Sequence, residues 1–127
     1  MKRQSVISTS IFSVLVFVLM IFCLCPQVSY ADAPQDVKIE YDSSAQTLAV
    51  TITHKSSFPG FHHIKTVEIK KNAAVISTTN YDAQPAKSPY TYTYKVAAAE
   101  GDKLEATATC SLSGSKTDTI TVPKATK

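Results

Sequence analysis

From Val37 onward, apolar and polar residues alternate with a period of two in short runs rich in Val, Ile, Tyr and Thr. These residues suit a pleated, half-buried surface. The pattern predicts seven strands, near Val37–Tyr41, Thr47–Thr53, His63–Lys71, Ala74–Thr79, Tyr90–Val96, Lys103–Cys110 and Lys116–Val122. Turn-forming pieces separate them: Asp42-Ser43-Ser44, Ser56 to Gly60, Asn72-Ala73, Tyr81 to Pro89, Glu100-Gly101-Asp102 and Ser111 to Ser115. No run in this region keeps a helical period. Short strands with turns at a spacing of roughly 8–12 residues predict an all-β fold, a seven-stranded immunoglobulin-like β-sandwich, with a closed barrel as the alternative.

Alternation also names the face that turns inward, because successive side chains on a strand point to opposite sides. The inward set is Val37, Ile39 and Tyr41; Leu48, Val50 and Ile52; Val67 and Ile69; Tyr90, Tyr92, Tyr94 and Val96; Leu104, Ala106 and Ala108; Ile120 and Val122. The opposite face is mostly Thr, Lys and Glu. Ile64 is out of step with Val67 and Ile69, which predicts a bulge, or residual loop, at the start of the third strand. Pro123 to Lys127 reads as a short frayed tail.

The first residues follow another pattern. Lys2 and Arg3 precede an almost unbroken apolar stretch from Ile11 to Cys25, and Pro26 follows it. This is the anatomy of a cleavable export signal. The stretch is shorter than the roughly 20 residues that favour a spanning helix. Ser29-Tyr30-Ala31 offers small residues where a signal peptidase reads, so the division expected is a signal peptide over residues 1–31 and one domain over residues 32–127. A lipid anchor is disfavoured, because Cys23 follows Phe22 and Cys25 follows Leu24. The expected location is periplasmic or secreted, with no membrane association after cleavage.

Removing Lys2 and Arg3 takes two from the formal net charge of +3 and leaves the domain near neutrality. Neither a nucleic-acid partner nor a membrane surface is indicated. Of the three cysteines only Cys110 lies in the domain, so no internal disulfide is available to it. The fold must rest on its core, or on a metal.

The chain's three histidines, His54, His62 and His63, flank a single loop. His54 continues the inward parity of Leu48, Val50 and Ile52, and Cys110 continues that of Leu104, Ala106 and Ala108. If strands alternate up and down, the even connections gather at one pole of the sandwich, and all four residues meet there. A thiolate with two imidazoles suits iron, copper or zinc. His62 and His63 are neighbours and cannot both face one ion from an extended chain, so one is a bystander. Taken singly, a buried cysteine is usually inert and loop histidines are usually solvated; it is their convergence that points to a metal.

Other chemistry finds no support. Tyr90, Tyr92 and Tyr94 share a face and read as core filling rather than a stacking platform. There is no glycine-rich phosphate loop, no nucleophile elbow and no paired carboxylates beside a histidine.

The stretches Val50-Thr-Ile-Thr-His54, Pro59-Gly-Phe-His62-His63-Ile64-Lys65-Thr-Val67-Glu68-Ile69 and Gly101-Asp102-Lys103-Leu104-Glu105-Ala-Thr-Ala-Thr-Cys110-Ser-Leu-Ser-Gly114 together resemble the iron domain of superoxide reductases, the desulfoferrodoxin and neelaredoxin family. The resemblance runs from about Val37 to Val122. It implies an immunoglobulin-like sandwich carrying ferrous iron on four histidines and an axial cysteine thiolate, where superoxide is reduced by one electron to hydrogen peroxide. By motif, His54 and His62 match two of the histidines, Cys110 matches the axial thiolate and His63 holds the bystander position. The sequence departs from the family at two ligands. Ser113 stands where a histidine follows the cysteine, and Asp32-Ala-Pro-Gln-Asp36 stands where another precedes the first strand. The lysine beside that upstream histidine has no counterpart; Lys55 is a weak substitute.

The metal ligands expected are therefore His54, His62 and Cys110, holding iron, with copper or zinc as substitutes. A methionine ligand of blue-copper type is excluded, because Met1 and Met20 both leave with the signal. The partners expected are superoxide, if the site turns over, and an electron-donor protein. The competing expectation is a degenerate relative serving as a non-catalytic metal-binding or structural, protein-binding module.

Overall fold

The structure, a computed structural model, describes residues 33–124 together with Val14 and Val16. The remainder of the expected signal peptide, its cleavage point and the last three residues lie outside the described residues. No helix among the described residues is long and apolar enough to cross a membrane.

Seven strands follow in chain order: β1 (Asp36–Asp42), β2 (Thr47–Thr53), β3 (Ile64–Lys71), β4 (Ala74–Asn80), β5 (Tyr90–Lys95), β6 (Lys103–Cys110) and β7 (Ser115–Thr121). They form two antiparallel sheets, one ordered β1-β2-β5 and the other β4-β3-β6-β7. This is an all-β, immunoglobulin-like sandwich. All seven predicted strands are present, with bounds that differ from the prediction by a residue or so at the ends.

The alternation of the sequence becomes the wall of the core. Val37 faces Ile52, Ile39 faces Val50 and Tyr41 faces Leu48 across β1 and β2, while Val67 faces Ala108 and Ile69 faces Ala106 across β3 and β6. Leu48, Val50, Ile52, Ile64, Val67, Ile69, Leu104, Ala106 and Ala108 are all fully buried. The small alanines of β6 admit the larger side chains opposite. Tyr41, Tyr92, Tyr94 and Ile120, read as inward, are only partly buried, because they close the open sides of the sandwich instead of its centre. The expected irregularity in β3 is a register shift between Ile64 and Thr66, which brings Ile64 into the core opposite Cys110.

One hairpin shows why turn chemistry matters. Asn72 and Ala73 join β3 to β4 with φ of 51° and 69°, both in the left-handed region that a two-residue hairpin of the favoured hand requires. The Asn72 side chain donates to Asp102 and accepts from the Lys103 backbone N–H, each at 2.9 Å. It thereby ties this hairpin to the start of β6 at the pole away from Cys110.

Candidate metal centre

The ends of β2 and β6, the loop entering β3 and the connection from β4 to β5 meet at one pole. His54 directly follows β2, His62 lies two residues ahead of β3, and Cys110 closes β6. Their ligand atoms all lie within 4.8 Å of one another. His54 is 1 % exposed and Cys110 5 %, as their inward parity requires. The imidazoles of His54 and His62 meet edge to face, with centroids 4.7 Å apart and planes at 83°.

Each ligand is positioned by backbone structure nearby. The loop before β3 folds into a tight turn in which the N–H groups of Phe61 and His62 both donate to the Phe58 carbonyl, at 2.9 and 2.8 Å. That turn swings His62 back toward the strand ends. Ser111, next to Cys110, fastens this loop to the cysteine loop. Its N–H donates to the His63 carbonyl at 2.8 Å, and its hydroxyl donates to the Phe61 carbonyl at 2.9 Å and accepts the His63 N–H at 3.1 Å. The Leu112 N–H donates to the Cys110 sulfur at 3.4 Å. A donor placed at sulfur favours electron density there, as at metal-bound thiolates.

His63 stands outside this group. Its Nε2 donates to the Tyr81 carbonyl at 3.0 Å, so its ring turns toward the β4–β5 connection. Of the two adjacent histidines, one side chain joins the cluster and its neighbour faces elsewhere.

The residue that sequence reasoning missed is Gln84, 7 % exposed in the β4–β5 connection. Its Nε2 donates to the His54 carbonyl at 2.8 Å. Its Oε1 accepts from the Ile64 N–H at 3.1 Å and from the Tyr90 hydroxyl at 3.2 Å, and lies 2.6 Å from His54 Nδ1. A carbonyl oxygen can only accept, so Nδ1 carries the imidazole proton and the lone pair sits on Nε2. The network thus fixes the tautomer and ring orientation that a nitrogen ligand needs. The His54 N–H itself donates to the Ser88 hydroxyl at 3.0 Å. No pattern in the sequence marks Gln84, since a lone amide in a loop carries no periodicity.

The donor set can be compared with what an ion demands. A transition ion bonded at roughly 2.0–2.3 Å holds its donors about 3 to 4.5 Å apart, according to whether they stand side by side or opposite. A group spanning no more than 4.8 Å closes on an ion with small side-chain movements. An ion held by two imidazoles and one thiolate would have at least one further coordination position for a non-protein ligand. Ser113 is exposed in the cysteine loop and is not in the group. Phe58, Phe61 and Leu112 project from the same two loops as exposed apolar side chains. Neither the models of known protein families nor the curated proteins compared with this chain match it.

Proposed function

We propose that this protein is an exported metal-binding redox module of superoxide-reductase type, holding iron through His54 Nε2, His62 and the Cys110 thiolate. The observation that carries the reading is the convergence of one buried sulfur and two imidazoles within 4.8 Å of one another. Gln84 adds to it by holding the His54 ring with its proton on Nδ1, the orientation a nitrogen ligand takes. When bound, the ion supplies one-electron chemistry at a position left open by the protein. The chain's own part is to bring three donors together and keep Cys110 out of bulk water. An electron-donor protein would restore the ferrous state, and the module would work in the periplasm or outside the cell.

Three protein ligands bind ferrous ion less tightly than five, and Ser113 supplies no imidazole. That observation favours a second reading, a non-catalytic metal-binding module on the same sandwich.

Metal analysis of protein purified without oxygen decides between them. Stoichiometric iron, a thiolate-to-iron absorption band on oxidation and consumption of superoxide support the first reading. Bound metal without superoxide consumption supports the second, and metal-free protein with unchanged stability removes both.

A further inference from the structure

Four tyrosines run from the candidate centre along the open side of the sandwich. Tyr90 begins the series: it is buried, and its hydroxyl donates to the same Gln84 oxygen that receives the His54 Nδ1 proton. Its ring meets Tyr92 edge to face, with centroids 5.4 Å apart and planes at 67°. Tyr92 stacks on Tyr81 at 4.2 Å and 11°. The Tyr81 and Tyr94 hydroxyls then share a hydrogen bond of 2.6 Å, and both residues are partly exposed. The series connects two edge strands, since Tyr90, Tyr92 and Tyr94 lie on β5 and Tyr81 directly follows β4.

Filling a core explains the rings but not the hydroxyls. Phenylalanine would supply nearly the same apolar volume without polar atoms that need partners. Here one hydroxyl reaches the histidine's orienting group, and two more pair with each other where the series meets solvent. Phenols are also among the few side chains that give up one electron and one proton together.

We propose that Tyr90, Tyr92, Tyr81 and Tyr94 form an electron relay that carries oxidising equivalents away from a metal held by His54, His62 and Cys110 when that metal meets hydrogen peroxide. The inference rests on the metal-binding reading above. Reduction of one hydrogen peroxide breaks the O–O bond and makes two water molecules, using two electrons and two protons. One electron comes from the ferrous ion, which becomes ferric. The second comes from a tyrosine whose O–H bond breaks, leaving a neutral tyrosyl radical and releasing one proton; solvent provides the other proton. The radical comes to rest on the Tyr81–Tyr94 pair, where the short hydrogen bond passes the proton outward. The thiolate of Cys110, the most easily oxidised donor in the site, is thereby spared.

The test loads the protein with one equivalent of ferrous ion without oxygen, confirms iron by metal analysis, adds one equivalent of hydrogen peroxide and freezes the sample for electron paramagnetic resonance. A tyrosyl signal is expected, narrowed when the protein is made with ring-deuterated tyrosine and lost in the Tyr81→Phe, Tyr94→Phe double variant. Tyr90→Phe should weaken it, and mass spectrometry should then find more Cys110 oxidised. Protein loaded with redox-inert zinc should give no signal. Bound iron that consumes peroxide without a tyrosyl signal overturns the relay and leaves the metal site standing, as does a signal unchanged in the double variant. A chain that binds no iron overturns both.

Discussion

Gln84 grips His54 at two points, donating to its carbonyl at 2.8 Å and accepting its Nδ1 proton at 2.6 Å, so that backbone and ring are fixed by one amide. The same oxygen also receives the Ile64 N–H and the Tyr90 hydroxyl, which joins the two sheets at the candidate centre. Loss of this side chain should therefore be felt twice.

For Gln84→Leu, three buried donors lose their acceptor, each at a cost of about 1–3 kcal/mol where water cannot substitute. The metal-free variant should unfold at a lower denaturant concentration. Its metal affinity should fall about 10–100-fold, as for other groups that orient a ligand. Denaturant melts and chelator competition measure the two effects separately. A variant with unchanged affinity would mean that His54 needs no orienting partner.

A second prediction concerns Gly114, whose carbonyl accepts the Cys110 N–H at 2.9 Å. Its φ of +79° is a conformation that side chains disfavour, and an added Cβ would lie 2.6 Å from the Ala33 Cβ. Gly114→Ala should cost about 1–3 kcal/mol from backbone strain. Hydrogen exchange should show faster opening at Ser111, whose N–H bonds across to the His63 carbonyl. Protection equal to wild type would show that the loop relaxes around the substitution.

High pH should unfold the sandwich through its tyrosines. Burial, aided by neighbouring tyrosines, holds Tyr90, Tyr92 and Tyr94 above the usual phenol value of about 10. In Tyr94 the hydrogen bond to Tyr81 adds to burial, and in Tyr90 the nearby Cys110 also contributes. The folded state keeps protons that the unfolded chain would lose. Stability from these groups is therefore intact below about pH 10 and is lost as pH rises past that point. Ultraviolet titration should show part of the phenol absorbance rising together with loss of the β-sheet circular dichroism signal. Full titration of all tyrosines with the fold intact would contradict the assignment.

Much of this arrangement was legible in the sequence because strand parity is a strict rule. The alternation through Leu48, Val50 and Ile52 carries on to His54, and that through Leu104, Ala106 and Ala108 carries on to Cys110, so both fall inside. The displaced parity of Ile64 announced the bulge. The β4–β5 connection was opaque for the same reason. Between Tyr81 and Pro89 no period operates, so neither the burial of Gln84 nor the turn of Tyr81 onto Tyr92 leaves a trace in the pattern. Tyr92 and Tyr94 pack against the core as their parity predicts, but parity cannot say how far a residue on an edge strand is covered.

The candidate centre itself predicts an ordered series of affinities. A thiolate in a buried position is costly without a cation or hydrogen-bond donors, and the structure places the Leu112 N–H on the Cys110 sulfur. Cys110→Ser should abolish tight binding of ferrous ion. His54→Ala and His62→Ala should each weaken it by about 10-fold or more, at least as much as losing an orienting group. His63→Ala should matter less, because that ring bonds to the Tyr81 carbonyl and lies outside the cluster. The converse change is the sharper test. Ser113 is exposed in the cysteine loop, three residues beyond Cys110, and a larger side chain there meets no core packing. Ser113→His should raise ferrous affinity and superoxide consumption together. If wild type and Cys110→Ser bind iron, copper and zinc equally weakly by isothermal titration and Ser113→His changes nothing, the cluster is not a metal site, and the sandwich alone remains.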